Sequence, residues 1–281
     1  MTAIAPSGGA AEVKIVVSNF RHFFNTEDGP VQATDTIDLE VRSGEFVTLV
    51  GPSGCGKTTL LKAIAGFIRP SEGTIRCDGK LVHGPGRERG VVFQELAILP
   101  WRTVRRNIGH GLEIAGVPKA ERLKIVARLI ALTGLSGFEE RYPHELSGGM
   151  RQRVAVARTW AADPEIILMD EPFAAVDAMT RLTLQEELAR LCAATKKTVF
   201  FITHSVDEAV FLGDRVLVMT ARPGRIKAEI MVPRHARDAD WESFTTDPEM
   251  QRIAEQVLRL VRAERGPDPQ CASGSREARQ A

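Results

Sequence analysis

The sequence predicts an α/β fold with a mostly parallel sheet, an N-terminal antiparallel β subdomain and a helical subdomain in the middle of the chain. Short β-rich runs separated by turn signals fill the first third of the 281 residues. Three segments with helical spacing of apolar residues fill the middle third. Strand-length apolar runs then alternate with helical segments, and this alternation is typical of parallel crossover connections.

The first third is predicted to be mostly strand. The predicted strands span residues 13–20, 36–41, 45–50, 73–82 and 91–93. The fourth of these consists of two short runs around Asp78-Gly79, a pair that tolerates positive φ at both central positions of a tight turn. It therefore predicts a hairpin.

Helices and then further strands are predicted for the rest of the chain. The predicted helices span residues 104–114, 119–133 and 148–162, with breakers at Gly116-Val117-Pro118 and Ser136-Gly137. The later strands are predicted at residues 166–169, 198–202, 215–219 and 226–232. Residues 1–12 and 266–281 lack any periodic pattern, so we expect disordered tails there.

An amphipathic helix is predicted near the C-terminus, over residues 246–265. Its apolar face comprises Met250, Ile253, Ala254, Val257, Leu258 and Val261. Thr246 or Asp247 can cap it, and Pro248 suits its first turn. A helix that docks on the domain is favoured over a regulatory element.

The composition excludes several classes of protein. Lys and Arg total 37 against 36 Asp and Glu, and 43% of the residues are hydrophobic. This balance argues against a disordered chain and against a nucleic-acid binder that works by bulk positive charge. We expect a soluble cytosolic protein, because no apolar run approaches the roughly 18 residues of a membrane span. Residues 1–11 lack the charged region and the apolar core of a signal peptide, so none is expected. The four cysteines show no paired spacing, which argues against a disulfide framework or a zinc site.

A glycine-rich loop between a strand and a helix predicts nucleotide binding. The pattern G-x-x-x-x-G-K-T follows the strand at residues 45–50. Backbone N–H groups of such a loop point at phosphate oxygens, Lys57 would reach the β- and γ-phosphates, and the Thr58 hydroxyl would bind Mg²⁺. A plain glycine turn with a solvated lysine is the alternative. The candidate nucleotide-binding residues here are Gly51, Pro52, Ser53, Gly54, Cys55, Gly56, Lys57, Thr58 and Thr59.

Two carboxylates end the apolar run at residues 166–169. Asp170 is predicted to lie near Mg²⁺, through water. Glu171 is expected to point in another direction because side chains alternate along a strand. It could deprotonate the water that attacks the γ-phosphate, a role that contributes about 10²–10⁴-fold. Taken alone, the pair could also mark a capped helix start.

Gln94 and His204 follow two other predicted strands. Parallel sheets bind ligands at the carboxyl ends of their strands, so both are candidates for the catalytic site. Gln94 could hold Mg²⁺ or the attacking water, and His204 could bind the γ-phosphate. Either could instead be a structural hydrogen-bonding residue.

Leu146-Ser147-Gly148-Gly149-Met150 begins an apolar helix and predicts a second phosphate cradle. Ser147 would supply a hydroxyl, and Gly148 and Gly149 would supply helix N–H groups. One chain has no need of two cradles for one nucleotide. We therefore expect the second cradle to close over a nucleotide held by another copy of the chain.

Together, these motifs over about residues 13–232 resemble the nucleotide-binding subunits of ABC transporters, which have a P-loop NTPase fold of the ABC type. The resemblance also includes the D-loop Ala175-Val176-Asp177. It implies an ATPase domain over residues 13–245 with a helical subdomain at about 96–162, and ATP and Mg²⁺ as cofactors. It further implies a head-to-tail homodimer in which Ser147 and Gly149 contact the γ-phosphate held by the partner and Asp177 crosses the interface. An aromatic residue, Phe24 in preference to Phe23, would stack on adenine.

Three positions depart from the family pattern. Met150 stands where Gln is common, Val176 where Leu is common, and Ser205 where Asp is common. None of these changes removes a catalytic group, so hydrolysis is still expected.

Residues 84–94, Leu99-Pro100-Trp101 and residues 220–226 are similar to the branch that imports taurine, aliphatic sulfonates and nitrate. That branch implies two membrane-spanning permease subunits, an extracytoplasmic substrate-binding protein and a peripheral position on the cytoplasmic face of the inner membrane. The apolar patch 99–101 would receive the membrane subunit, although local packing is an equal alternative. A soluble ABC ATPase acting in translation or DNA maintenance, and an unrelated kinase or GTPase, are less favoured. No nucleic acid partner is expected.

Overall fold

The computed structural model describes residues 12–27, 29–174, 176–233 and 240–264. Apart from Glu12, the expected disordered tails lie outside these residues. The described residues form an α/β fold with one antiparallel and one mostly parallel sheet, as the sequence predicts. Within them, none of the helices has both the length and the apolar character needed to cross a bilayer.

The antiparallel sheet is built from four strands near the N-terminus. These are β1 (Val13–Thr26), β2 (Gly29–Arg42), β4 (Glu72–Cys77) and β5 (Lys80–Leu81), in the order β2-β1-β4-β5. The strands β1 and β2 extend beyond their predicted bounds because they pair with each other up to Thr26 and Gly29. Asp78 and Gly79 have φ of 49° and 71°, and they form the predicted hairpin turn between β4 and β5.

The second sheet has six strands and carries the polar side chains discussed below. Its members are β3 (Phe46–Val50), β6 (Arg89–Val92), β7 (Ile166–Asp170), β8 (Thr198–Ile202), β9 (Arg215–Met219) and β10 (Ile226–Met231). Their order is β10-β9-β3-β8-β7-β6. Neighbouring strands from β9 to β6 are parallel, and β10 pairs antiparallel at the edge. Every residue of β3, β7 and β8 is buried, as expected for parallel strands covered on both faces.

Helices cover both faces of this sheet, and several consecutive helices fill the middle of the chain. They are α1 (Lys57–Ala65), α2 (Val104–Ile108), α3 (His110–Ile114), α4 (Lys119–Leu132), α5 (Gly148–Ala161), α6 (Ala178–Thr195), α7 (Val206–Leu212), α8 (Trp241–Thr246) and α9 (Pro248–Arg262). The sequence predicted one helix over residues 104–114, which is wrong. Gly109 separates α2 from α3, because glycine is a poor helix former and here packs close to Val126 of α4.

The C-terminal helices dock on the domain through an apolar face. Helix α8 was not predicted, yet Trp241 and Phe244 pack edge-on against Phe211 with ring centroids 5.0 and 5.4 Å away. Asp247 caps α9 by accepting from the Glu249 N–H at 2.7 Å. The buried face of α9 comprises Met250, Ala254, Val257 and Val261, and it contacts α7, β9 and β10. Its apolar face is therefore packed against the domain.

Candidate functional site

Predicted site residues follow four neighbouring parallel strands at one edge of the sheet. The phosphate-binding loop (residues 51–58) follows β3, Gln94 follows β6, Asp170 and Glu171 end and follow β7, and His204 follows β8. In the strand register, Ile202 of β8 lies opposite both Leu49 and Asp170. The topology thus brings the loop, the two carboxylates and the histidine to a single edge.

The phosphate-binding loop has the backbone shape that the sequence predicts. Gly54 and Gly56 have φ of 74° and 102°, values that side chains with a Cβ rarely adopt. Gly51 also packs tightly, since a Cβ there would lie 2.9 Å from the carbonyl oxygen of Met219. The loop leads directly into α1, whose N-terminal N–H groups and dipole favour an anion.

Lys57 is buried against the loop that precedes it. Its ammonium donates to the carbonyl oxygens of Gly51 and Pro52, both at 2.9 Å. The Cys55 Sγ lies 3.9 Å away. The single positive charge therefore lies inside the concave side of the loop, where it can interact with phosphate oxygens.

Thr58 and Asp170 lie side by side, as a metal site at this position requires. The Thr58 hydroxyl donates to Asp170 Oδ1 at 3.1 Å. Burial raises the pKa of the Asp170 carboxyl and the nearby charge of Glu171 adds to this, while the Thr58 hydrogen bond opposes it. A buried carboxylate beside a hydroxyl provides hard oxygen donors of the kind Mg²⁺ prefers, so these two residues fit the ion.

Glu171 lies one residue beyond β7 in a left-handed backbone conformation, with φ of 45°. Its N–H donates to the carbonyl oxygen of Ile202 at 2.9 Å. Glu171 lies outside the strand, so the predicted alternation of side chains along the strand does not extend to it. Glu171 Oε2 lies 3.3 Å from His204 Nδ1, so the structure joins the predicted base to the predicted phosphate ligand.

A buried polar network beneath His204 was missed by the sequence reasoning. Glu208 accepts from Gln185 Nε2 at 2.7 Å and from the Thr203 hydroxyl. Thr203 Oγ1 in turn accepts from the Ser205 N–H at 3.0 Å. Burial raises the pKa of the Glu208 carboxyl against the effect of both hydrogen bonds. The network fixes Thr203 and Ser205, the residues on either side of His204. In the sequence, only the glutamate within α7 could have pointed to it.

Gln94 is exposed, whereas Asp170 is buried and Thr58 is half-buried. In the part of the chain that the structure describes, no hydrogen bond joins Gln94 to either residue. The segment that follows it is anchored to the helical subdomain, because Arg158 of α5 donates to the carbonyl oxygen of Ala97 at 2.6 Å. The role of Gln94 at the metal or the water stays a prediction.

The apolar patch after Gln94 faces outward. Asn107 of α2 accepts from the Leu99 N–H at 2.8 Å and donates to the carbonyl oxygens of Leu99 and Arg102. These bonds fix a short loop that leaves Trp101 71% exposed. The packing alternative therefore fails for Trp101, whereas Leu99 is half-buried.

The second cradle lies at the start of α5. Ser147 is the exposed N-cap and accepts from the Met150 N–H at 3.2 Å. Gly149 is buried, and a Cβ on it would lie 2.5 Å from Thr180 Cγ2 of α6. The glycine thus has a packing reason in addition to its predicted contact with phosphate. Among the residues described, Ser147 makes no hydrogen bond to the phosphate-binding loop of its own chain.

We expect Gly149→Ala to lower the free energy of unfolding by about 1–3 kcal/mol, because the new methyl group overlaps Thr180. It should also reduce ATPase activity, since Thr180 lies in the first turn of α6 beside Asp177. Thr180→Ser removes the overlapping methyl, so the double variant should regain both properties in thermal unfolding and ATPase assays. A double variant as inactive as Gly149→Ala would contradict the packing role and favour the phosphate contact alone.

Asp177 was predicted to cross a dimer interface, and in the single chain it caps α6. Its Oδ1 accepts from the Thr180 N–H at 3.0 Å, and this bond lowers the pKa of the carboxyl. The neighbouring Met179 is 76% exposed. Ala175 lies outside the described residues. The interface role of Asp177 stays a prediction.

Of the two candidate aromatics, Phe24 is the more exposed. It is 44% exposed and packs edge-on to His22, with ring centroids 4.7 Å apart. The His22 N–H donates to Thr34 Oγ1, and Thr34 lies against Gly56 of the phosphate-binding loop. The strand thus runs beside the loop, and the stacking of Phe24 on adenine stays a prediction. Phe23 is half-buried, with its N–H bonded to Ser71.

Comparisons with known proteins agree with this geometry. Residues 34–174 match the ABC transporter family. An uncharacterized ABC transporter ATP-binding protein of Methanocaldococcus jannaschii is 53% identical, covering 90% of this chain and 93% of the relative. A taurine import ATP-binding protein of Rhizobium johnstonii is 47% identical, covering 82% and 89%. A dimeric ATP-binding cassette solved in a post-hydrolysis state with ADP and Pi superposes with a TM-score of 0.70 at 29% identity, covering 78% of this chain and 99% of the other.

Proposed function

The chain belongs to the family of ABC transporter ATP-binding proteins and is an ATPase, and from this premise we propose that it drives the import of a small sulfonate such as taurine. In this proposal two copies form a homodimer that binds two permease subunits on the cytoplasmic face of the inner membrane, and an extracytoplasmic binding protein delivers the substrate. Alkanesulfonates and nitrate are the other candidate substrates.

The observation that carries the proposal is a site divided between two places. The phosphate-binding loop, Asp170, Glu171 and His204 share one sheet edge, whereas Ser147 lies exposed at a separate helix start. A second copy, stacked head to tail, would bring its Ser147 to the nucleotide on this edge. The similar cassette solved as a dimer with ADP and Pi supports this arrangement.

The residues have distinct roles in the proposed hydrolysis. Lys57 and the loop N–H groups would hold the β- and γ-phosphates, and Thr58 and Asp170 would hold Mg²⁺, with Gln94 joining when the site closes. The ion supplies charge neutralisation of the phosphates when bound. Glu171 would accept the proton of the attacking water, and His204, beside it, would donate a hydrogen bond to the γ-phosphate.

The exposed Trp101 supports coupling to a membrane subunit. Trp is enriched among the residues that carry most of the binding energy at protein interfaces, so an exposed Trp101 is a suitable anchor for a partner. It also follows Gln94 in the chain by seven residues, so a partner seated there is joined to the γ-phosphate side of the site through a short segment. The taurine import names of relatives at 43–47% identity favour a transport role over one in translation or DNA maintenance.

Uptake of isotope-labelled taurine tests the proposal directly. The chain is reconstituted in proteoliposomes with permease and binding-protein subunits of the taurine import type, and taurine, methanesulfonate and nitrate are supplied as separate substrates. We expect ATP-dependent taurine uptake. Trp101→Ala should reduce it at least about tenfold, because it removes an anchor that the proposed permease interface would bury, without loss of basal ATPase. Met231→Ala, at another exposed apolar position on the edge strand β10, is the matched control. ATP-dependent uptake of nitrate alone would overturn the substrate assignment.

A further inference from the structure

The turn formed by residues 220–225 contacts the outer side of the phosphate-binding loop. Arg222 Nε donates to the carbonyl oxygen of Gly54 at 3.2 Å. A Cβ placed on Gly224 would lie 1.9 Å from the carbonyl oxygen of Cys55, so glycine is required for this approach. The turn therefore contacts two consecutive carbonyl groups of the loop.

These contacts set the direction of the N–H groups that follow. In a trans peptide unit, the carbonyl and the next N–H point in opposite directions. Because the carbonyls of Gly54 and Cys55 face the turn, the N–H groups of Cys55 and Gly56 face away from it. Successive loop N–H groups are the donors for phosphate oxygens, so the turn helps to aim them.

The turn is held at both of its ends. At one end, the Gly224 N–H donates to the carbonyl oxygen of Ala33, and the Asp35 N–H donates to the carbonyl oxygen of Gly224, at 3.1 and 2.9 Å. At the other end, the Ala221 N–H donates to Glu264 Oε2 at 3.1 Å. The second anchor is a side chain that follows α9, far away in sequence.

Glu264 is itself fixed and charged. Its Oε1 accepts from Lys227 Nζ at 2.5 Å, and its side chain is 19% exposed. The hydrogen bond from Lys227, together with the one from the Ala221 N–H, lowers the pKa of the carboxyl. A half-buried carboxylate that accepts a backbone N–H makes a charge-assisted bond, which is stronger than a neutral one.

We infer that Glu264 is a positioning residue for ATP binding, acting through Ala221 and Arg222 on the Gly54–Cys55 peptide of the phosphate-binding loop. The inference deepens the ATPase function and rests on ATP binding at that loop. It makes the segment that follows α9 part of the nucleotide site, although among the described contacts Glu264 itself touches no phosphate-binding residue.

The test measures the Kd for a fluorescent ATP analogue, together with KM and kcat, on the full chain. Glu264→Ala should raise Kd and KM about 3- to 10-fold and leave kcat within about twofold, because one charge-assisted bond is lost outside the reacting centre. Glu264→Gln should stay close to the wild-type Kd, since its amide oxygen still accepts from Ala221. Glu255→Ala removes an exposed carboxylate of α9, paired to Arg259 at 3.4 Å, and should change neither Kd, KM nor kcat.

A double variant with Arg222→Ala tests whether Glu264 acts on the phosphate-binding loop through Arg222. Arg222→Ala alone should weaken ATP binding, and adding Glu264→Ala should weaken it no further, because both act on one peptide. A wild-type Kd for Glu264→Ala, or effects that multiply in the double variant, would overturn the inference. Lys57→Ala tests the nucleotide site independently of Glu264. It should lose ATP binding even if Glu264 has no effect, so a failed inference about Glu264 can be told from a wrongly placed nucleotide site.

Discussion

Glu171→Gln is expected to abolish most ATP hydrolysis while ATP binding persists. Glutamine keeps the shape of the side chain and a hydrogen bond to His204, 3.3 Å away in the wild type, but it cannot accept the proton of the attacking water. Loss of a general base costs about 10²–10⁴-fold in rate. Because the ATP-bound state then persists, a stable dimer should accumulate with ATP, detected by size-exclusion chromatography with light scattering.

Glu165→Gln is the matched control for this variant. Glu165 lies just before the other end of β7, and its carboxylate pairs with Lys14 away from the site. Glu165→Gln should hydrolyse ATP at nearly the wild-type rate and keep the oligomeric state of the wild type. Wild-type single-turnover hydrolysis by Glu171→Gln, without an ATP-dependent dimer, would show that another group accepts the proton.

The parallel sheet and its site could be predicted because each feature is local in sequence. A buried strand such as Ile166–Asp170 is a continuous apolar run, and the loop before Lys57 carries its glycines in fixed spacing. Parallel strands then bring their carboxyl ends to one edge whatever their order. The strand order itself follows from packing across the sheet, which no local pattern in this sequence contains.

The features that were missed depend on contacts between distant segments. The direction of Glu171 is set by its left-handed backbone and by its bond to Ile202 on the next strand. The network around Glu208 needs Gln185, which lies on another helix. The bond from Arg222 to Gly54 joins residues 168 positions apart. Single-sequence reasoning has access to none of these distances.

Two inactive variants are expected to restore activity when they are mixed. Lys57→Ala removes the loop cation, and Ser147→Asp puts a negative charge where the γ-phosphate of the partner would lie. Each alone should lose roughly 100-fold or more of the ATPase rate, from lost or opposed stabilisation of phosphate charge. In a head-to-tail dimer of one copy of each, both defects fall in the same composite site and the other site is intact.

The ATPase rate expected for the mixture follows from the fraction of mixed dimers that random pairing gives. Random pairing of equal amounts gives half mixed dimers, each with one working site of two, so about a quarter of the wild-type rate is expected if the sites act independently. Ser147→Asn is the control for the cap, because both Asn and Asp can accept from the Met150 N–H as Ser147 does. Ser147→Asn should therefore keep far more activity than Ser147→Asp, which isolates the effect of charge. A mixture no more active than its components would mean that the site is not shared, since a site complete within one chain could not be restored by a partner carrying a different defect.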